Sequence, residues 1–199
     1  MQPTTLKTET TTSVTDKATT VGKVTLNSGQ QKAFTGVCDF ILNPSENFMV
    51  IEGGPGTGKS TMIEHIFTSF SQLQDMQTLL GVAPLRDIIL TATTHKAAAV
   101  IANITQSTTS TIQSTLGLRV KTDYSTKPPQ TSLVPTAKTT TIENKLIIVD
   151  EMSNLDRATL AYLKTLCKRS KVILIGDYEQ ILGIREKFPL VRQENFTTY

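Results

Sequence analysis

Gly53-Gly54-Pro55-Gly56-Thr57-Gly58-Lys59-Ser60 is the stretch on which the reading of the whole chain turns. The short apolar run Phe48-Met49-Val50-Ile51 precedes it, and over residues 60–70 Met62, Ile63, Ile66 and Phe67 recur at helical spacing. Strand, glycine-rich loop and helix in this order are the setting in which Gly-x-x-x-x-Gly-Lys-Ser acts as a phosphate cradle. Its glycines let backbone N–H groups curl around phosphate oxygens, and the helix N-terminus adds positive potential. Lys59 is then the expected partner of the β- and γ-phosphates of ATP, and Ser60 an expected ligand of Mg²⁺. A flexible glycine turn is the competing reading, and this context disfavours it.

Upstream of the loop, Asn27 or Ser28 can cap a helix carrying Ala33, Phe34, Val37, Phe40 and Ile41, which Pro44 closes. Ile88-Ile89-Leu90 reads as a second buried strand, followed by an Ala-rich helical segment over about 95–104. Leu146-Ile147-Ile148-Val149 and Val172-Ile173-Leu174-Ile175 flank a helix expected over roughly 156–167. Such near-continuous apolar runs belong to strands covered on both faces. Strands alternating with helices predict a three-layer α/β domain around a central, mainly parallel sheet, with its binding edge at the strand C-termini. A short helix is expected over 111–116. Residues 121–141, with Pro128, Pro129 and Pro135 among Thr and Ser, read as a long loop or small insertion. Residues 1–24 are crowded with Thr and poor in large apolar groups; they read as a disordered tail, leaving 25–199 as the domain proper.

The totals agree with one domain. At 199 residues there is room for a single α/β core of this size, and no apolar run approaches the roughly 20 residues that span a bilayer. Lys+Arg 20 against Asp+Glu 17 gives a net charge of +3, a bias too small to argue for nucleic acid by itself. Cys38 and Cys167 stand alone, without the spacing of a metal site, and read as reduced core residues. The tail lacks the apolar core of a signal peptide, so a cytoplasmic setting is expected.

Asp150 and Glu151 directly follow the third apolar run, at the sheet edge where the glycine loop also lies. Two carboxylates there suit a Walker B pair, with Asp150 holding Mg²⁺ and Glu151 orienting and deprotonating the attacking water. An Asp-Glu dipeptide is otherwise a common solvated helix start; the upstream loop tips the balance. The next run ends in Gly176-Asp177, and Gln180 falls near the same edge, where its amide suits contact with the γ-phosphate. His65 reads as a partly exposed structural side chain, and Arg185 and Arg192 as solvated surface residues.

This order of motifs resembles superfamily 1 helicases, most closely the RecD-like branch that includes the Dda helicases of bacteriophages, over roughly residues 25–184. Leu26-Asn27-Ser28-Gly29-Gln30-Gln31-Lys32-Ala33-Phe34 is similar to the opening motif, which implies that Gln30 reads the adenine edge. Motif I corresponds to residues 53–61, adding Gly53, Gly54, Pro55, Gly56, Thr57, Gly58 and Thr61 to the expected ATP contacts. Thr91-Ala92-Thr93-Thr94-His95-Lys96-Ala97-Ala98 is similar to motif Ia, which implies contact of Thr94, His95 and Lys96 with single-stranded DNA. Ser110-Thr111-Ile112-Gln113-Ser114 looks like motif Ib and adds Thr111 and Gln113, although His is frequent in the family where Gln113 stands. Asp150-Glu151-Met152-Ser153 and Gly176-Asp177-Tyr178-Glu179-Gln180 match motifs II and III, but the proline-containing continuation usual after motif III is replaced by Ile181-Leu182-Gly183-Ile184. Residues 121–141 fall where the family carries a small β-hairpin used in strand separation.

The resemblance implies an ATP-dependent, 5′-to-3′ DNA helicase whose first motor domain is read here. Motifs IV to VI of the family belong to a second RecA-like domain and are not recognised before Tyr199. A missing second domain or a partner chain is therefore expected, with feeble hydrolysis and no unwinding by this chain alone. Two other classes stay open: a non-catalytic ATP-binding regulatory module, and a P-loop nucleotide kinase, which would need an arginine-rich lid.

Overall fold

The protein is described here by a computed structural model covering residues 25–177 and 196–198. The expected tail over 1–24 and Gln180, Arg185 and Arg192 lie outside the described residues.

Helix α1 (Ser28–Leu42) begins with a reciprocal capping box: Asn27 Oδ1 accepts the Gln30 N–H and Gln30 Oε1 accepts the Asn27 N–H, both at 2.9 Å. It buries Ala33, Gly36, Val37, Phe40 and Ile41, and ends at Asn43, where the following Pro44 disfavours helical backbone. There follow β1 (Phe48–Glu52), α2 (Lys59–Thr68), α3 (Phe70–Leu79), β2 (Asp87–Ala92), α4 (His95–Thr105), β3 (Ser110–Thr111) and α5 (Ile112–Thr115). The second half comprises β4 (Leu118–Asp123), β5 (Gln130–Pro135), β6 (Glu143–Asp150), a 3-10 turn (Met152–Asn154), α6 (Arg157–Leu166), β7 (Arg169–Gly176) and β8 (Thr197–Thr198).

Six strands form one sheet in the order β3-β2-β6-β7-β1-β8, and every pairing in it is parallel. Side chains alternate across the sheet, so each run feeds two cores. Leu146, Ile148, Ile173 and Ile175 join α1, α2, α3 and α4 on one face, while Ile147, Val149, Val172 and Leu174 join α5 and α6 on the other. All eight are fully buried, each stabilising the fold by about 1.5–3 kcal/mol, which is why their runs are apolar without interruption. Register sets the functional edge: Glu52 pairs with Gly176, Val149 with Leu174 and Ala92 with Asp150, so the segments after β1, β2, β6 and β7 leave the sheet side by side.

Two segments depart from the reading of the residues alone, the second in the direction that the family resemblance implies. The helix expected over 60–70 breaks at Ser69, and a further helix, α3, follows; its Gln77 is buried and accepts the Leu85 N–H at 3.0 Å. The stretch read as a long loop or small insertion contains an antiparallel hairpin, β4 against β5, from Leu118 opposite Pro135 to Asp123 opposite Gln130. Its residues are almost all exposed or half-buried, and the alternation Leu118-Arg119-Val120-Lys121 is too short to mark a strand by itself. At its root Gly117, with φ +69°, passes so close to the backbone of Lys138 and Thr139 that a Cβ would lie 2.7 Å from both. The Gly117 carbonyl accepts the Thr136 and Thr139 hydroxyls at 2.6 and 2.7 Å, closing the hairpin at its base.

Candidate nucleotide-binding site

The glycine loop is pinned at its start by the Gly53 N–H donating to the Gly176 carbonyl at 3.0 Å, and across its middle by Thr57 Oγ1 donating to the Gly54 carbonyl at 2.9 Å. Gly58 is the N-cap of α2 with φ +84°, a backbone that favours glycine, and a Cβ there would come within 2.2 Å of Gln30 Nε2 and displace that side chain. Because glycine has no side chain, α2 starts without a side-chain cap and its first N–H groups stay available to an anion. Lys59 Nζ lies over the loop, donating to the Gly53 and Gly54 carbonyls at 2.7 and 2.8 Å.

Two cavities meet at Lys59. One of about 480 Å³ is lined by Gln30, Lys32, Glu52, Gly53, Gly58 and Lys59 among others. The second, of about 290 Å³, is lined by Lys59, Thr94, Lys96, Ala97, Val100, Asp150 and Glu151. The second therefore joins the tip of the loop, the end of β6 and the start of α4.

Asp150 is the last residue of β6. Burial pushes its carboxyl above the ordinary carboxylate range and the neighbouring Glu151 charge adds to that, while a hydrogen bond from the Glu151 backbone and the nearby Lys59 ammonium pull the other way. Glu151 has left-handed backbone, φ +58°, which costs a non-glycine residue about 1–2 kcal/mol. Bonds on every side hold it there. Its carbonyl accepts Thr93 Oγ1 and the Asn154 N–H at 3.0 Å, and its carboxylate Oε2 accepts Thr94 Oγ1 at 3.0 Å.

A Ser60 hydroxyl and an Asp150 carboxylate are hard oxygen donors of the kind that hold Mg²⁺ jointly with substrate phosphates. Among the described residues no group of three or more His, Cys, Asp or Glu is gathered as metal ligands.

The remaining expected contacts fall into three places. Gln30 sits against the loop: its Nε2 donates to the Thr57 and Gly58 carbonyls at 3.3 and 3.2 Å, while its Oε1 serves the α1 cap. Gly54, Pro55, Gly56, Thr57, Ser60 and Thr61 lie in the loop and the first turn of α2. Thr94 is the N-cap of α4, accepting the Ala97 N–H at 3.2 Å, with His95 and Lys96 exposed directly after it. Thr111 and Gln113 lie apart from both cavities: Thr111 caps α5, and Gln113 Nε2 donates to Thr159 Oγ1 of α6 at 3.4 Å. His65 packs edge-on against Phe34 with ring centroids 4.5 Å apart, a packing role. Both cysteines are free thiols; Cys167 is buried in the core under α5 and α6, and Cys38 packs against the core on the opposite face of the sheet.

The paired threonines Thr93 and Thr94 escaped sequence reading as partners of Glu151. The local signal was present, since Thr ahead of an Ala-rich helix is a capping residue, but the reach of its hydroxyl to Glu151 is set by the β2–β6 pairing.

Residues 41–185, well over half of the chain, match the family model of the AAA domain, the AAA-type P-loop ATPase module found in UvrD-, Rep- and PcrA-like helicases. Proteins of this fold bind ATP together with Mg²⁺, in keeping with the loop and the carboxylate pair at the sheet edge. The chain belongs to this family and is an AAA-type P-loop ATPase domain.

Proposed function

We propose that this domain is the first motor domain of a superfamily 1 DNA helicase of the RecD-like branch, hydrolysing Mg–ATP to drive 5′-to-3′ movement on single-stranded DNA. The observation that carries the reading is the cavity shared by Lys59, Asp150 and Glu151 with Thr94 and Lys96 of the α4 start. Nucleotide chemistry and the segment similar to motif Ia meet in one place.

In this mechanism Lys59 leaves the Gly53 and Gly54 carbonyls for the β- and γ-phosphates, exchanging neutral acceptors for charged ones. Ser60 and Asp150 would hold Mg²⁺ together with the phosphates, and the ion would neutralise charge developing on the transferring group. Glu151 accepts a proton from water as the water oxygen bonds to the γ-phosphorus and the bond to the ADP oxygen breaks. Gln30 serves the adenine side of the larger cavity, and Gln180 is assigned to the γ-phosphate. Among the described residues, the lining of the two cavities contains no arginine. An arginine from a second RecA-like domain or a partner chain completes the site in this proposal, a contribution worth about 10³–10⁵ in rate. The β4–β5 hairpin, with exposed Arg119, Val120, Lys121, Tyr124 and Lys127, is assigned to the nucleic-acid side.

The test is ATP turnover by the chain with and without a single-stranded oligonucleotide, together with oligonucleotide binding and duplex unwinding. The proposal expects slow hydrolysis, oligonucleotide binding that changes with a non-hydrolysable ATP analogue, and no unwinding. An oligonucleotide that neither binds nor alters turnover would overturn the helicase assignment and favour a regulatory module. Phosphoryl transfer to a nucleoside monophosphate would favour a kinase.

A further inference from the structure

Glu151 is approached by two consecutive hydroxyls from the end of β2. Thr93 Oγ1 donates to its main-chain carbonyl at 3.0 Å, and the Thr93 N–H donates to the Asp150 carbonyl at 3.2 Å. These bonds secure the backbone. Thr94 acts on a different atom: its Oγ1 donates to the carboxylate Oε2 at 3.0 Å, while the same oxygen accepts the Ala97 N–H at 3.2 Å as the N-cap of α4. A hydroxyl has one proton and two lone pairs, so both bonds form together without competing. The donor is committed to the carboxylate and one lone pair to the helix.

We infer that Thr94 is a positioning residue for hydrolysis, which orients the Glu151 carboxylate and locks that orientation to the seating of the α4 N-terminus. The inference rests on the hydrolytic role proposed for Glu151. Burial has little to do with its force, since Thr94 and Glu151 are both half-buried; directionality does. A general base must present one particular oxygen to water, and Oε2 is the oxygen that Thr94 engages. Helix α4 continues from the cap into exposed His95 and Lys96, so displacement of this turn is felt at the carboxylate through a single oxygen atom.

Thr94→Val removes the hydroxyl at nearly constant shape. The expected result is a fall in kcat for Mg–ATP of about tenfold, the size of one lost charge-assisted hydrogen bond, with KM within about twofold. Thr94→Ser restores kcat, which a loss of packing alone would not allow. A second readout needs no nucleotide and no turnover: Glu151→Ala in the free chain raises hydrogen exchange at the Ala97 amide several-fold, whereas Thr94→Ser leaves it at the wild-type rate. An unchanged kcat in Thr94→Val, or an unchanged Ala97 exchange rate in Glu151→Ala, would overturn the inference. Glu151→Gln run alongside separates it from the reading beneath it, because turnover intact in Glu151→Gln would sink the hydrolytic role of Glu151 while the exchange measurement still decided the link.

Discussion

At the residue scale, Gly58 carries two constraints at once, a left-handed backbone and the close approach of the Gln30 amide. Gly58→Ala meets both. The left-handed conformation costs an L-residue about 1–2 kcal/mol, and Gln30 must in addition leave the Thr57 and Gly58 carbonyls. The substitution is expected to lower the thermal midpoint by several degrees and to weaken ATP binding, checked by calorimetry and nucleotide titration; a variant unchanged in both would mean that the loop relaxes freely. At this scale the sequence was informative wherever local chemistry suffices. Lys59, Ser60 and Gly58 are fixed by a pattern whose spacing is the geometry of the loop, and Asp150 and Glu151 by ending an apolar run. Thr93 and Thr94 were hidden as partners of Glu151 because the contact spans two strands distant in sequence.

At the element scale, helix α6 depends on its first turn. Asp156 Oδ1 accepts the Thr159 N–H at 2.6 Å, satisfying a donor that the helix leaves open, while Leu160 and Leu163 bury its inner face. Asp156→Ala is expected to cost about 1 kcal/mol in denaturant unfolding, with nucleotide binding unaltered because α6 lines neither cavity. A cost near zero would show that water replaces the cap. Elements buried on one or both faces were readable from their periodicity: α1, α2, α4, β6 and β7 stand within a few residues of expectation. Helix α3 escaped because Leu73 is its one fully buried apolar anchor and it buries the polar Gln77 instead. The residues alone did not give the β4–β5 hairpin, for a related reason, although the family resemblance implies one over 121–141. Apart from Leu118 and Leu133, which pack on the second core, its strands are largely exposed, and Gly117, Thr136 and Thr139 close its base through backbone and hydroxyl contacts that no pattern reports.

For the whole molecule, two cores share one parallel sheet, and burial in them sets the response to alkali. Burial pushes the Cys167 thiol from 9.0 up to about 12, so between those values the unfolded chain gives up a proton that the native chain keeps. Stability therefore falls as pH rises above about 9, by at most about 1.4 kcal/mol per pH unit from this group, and nothing is lost from it below that range. Lys171 has the opposite sign. Burial lowers its ammonium below 10.5 against the opposing pull of Glu46, so the native chain releases that proton first and stability gains as pH climbs towards 10.5. Cys167→Ala removes only the first effect. Its stability is expected to decline less than the wild type's between pH 9 and 10.5, measured by urea unfolding; equal slopes would contradict a protonated buried thiol.

Loop, carboxylate pair and α4 start converge on the cavity at Lys59, the site proposed for the triphosphate. Equilibrium binding of Mg–ATP to the chain and to Lys59→Ala tests this most directly. Loss of two charge-assisted hydrogen bonds or more predicts that the variant binds at least about 100-fold more weakly while its unfolding midpoint stays near that of the wild type. Equal affinity in the two proteins would contradict the assignment of the 53–60 loop as the phosphate site, and with it the reading of the domain as a nucleotide-driven motor.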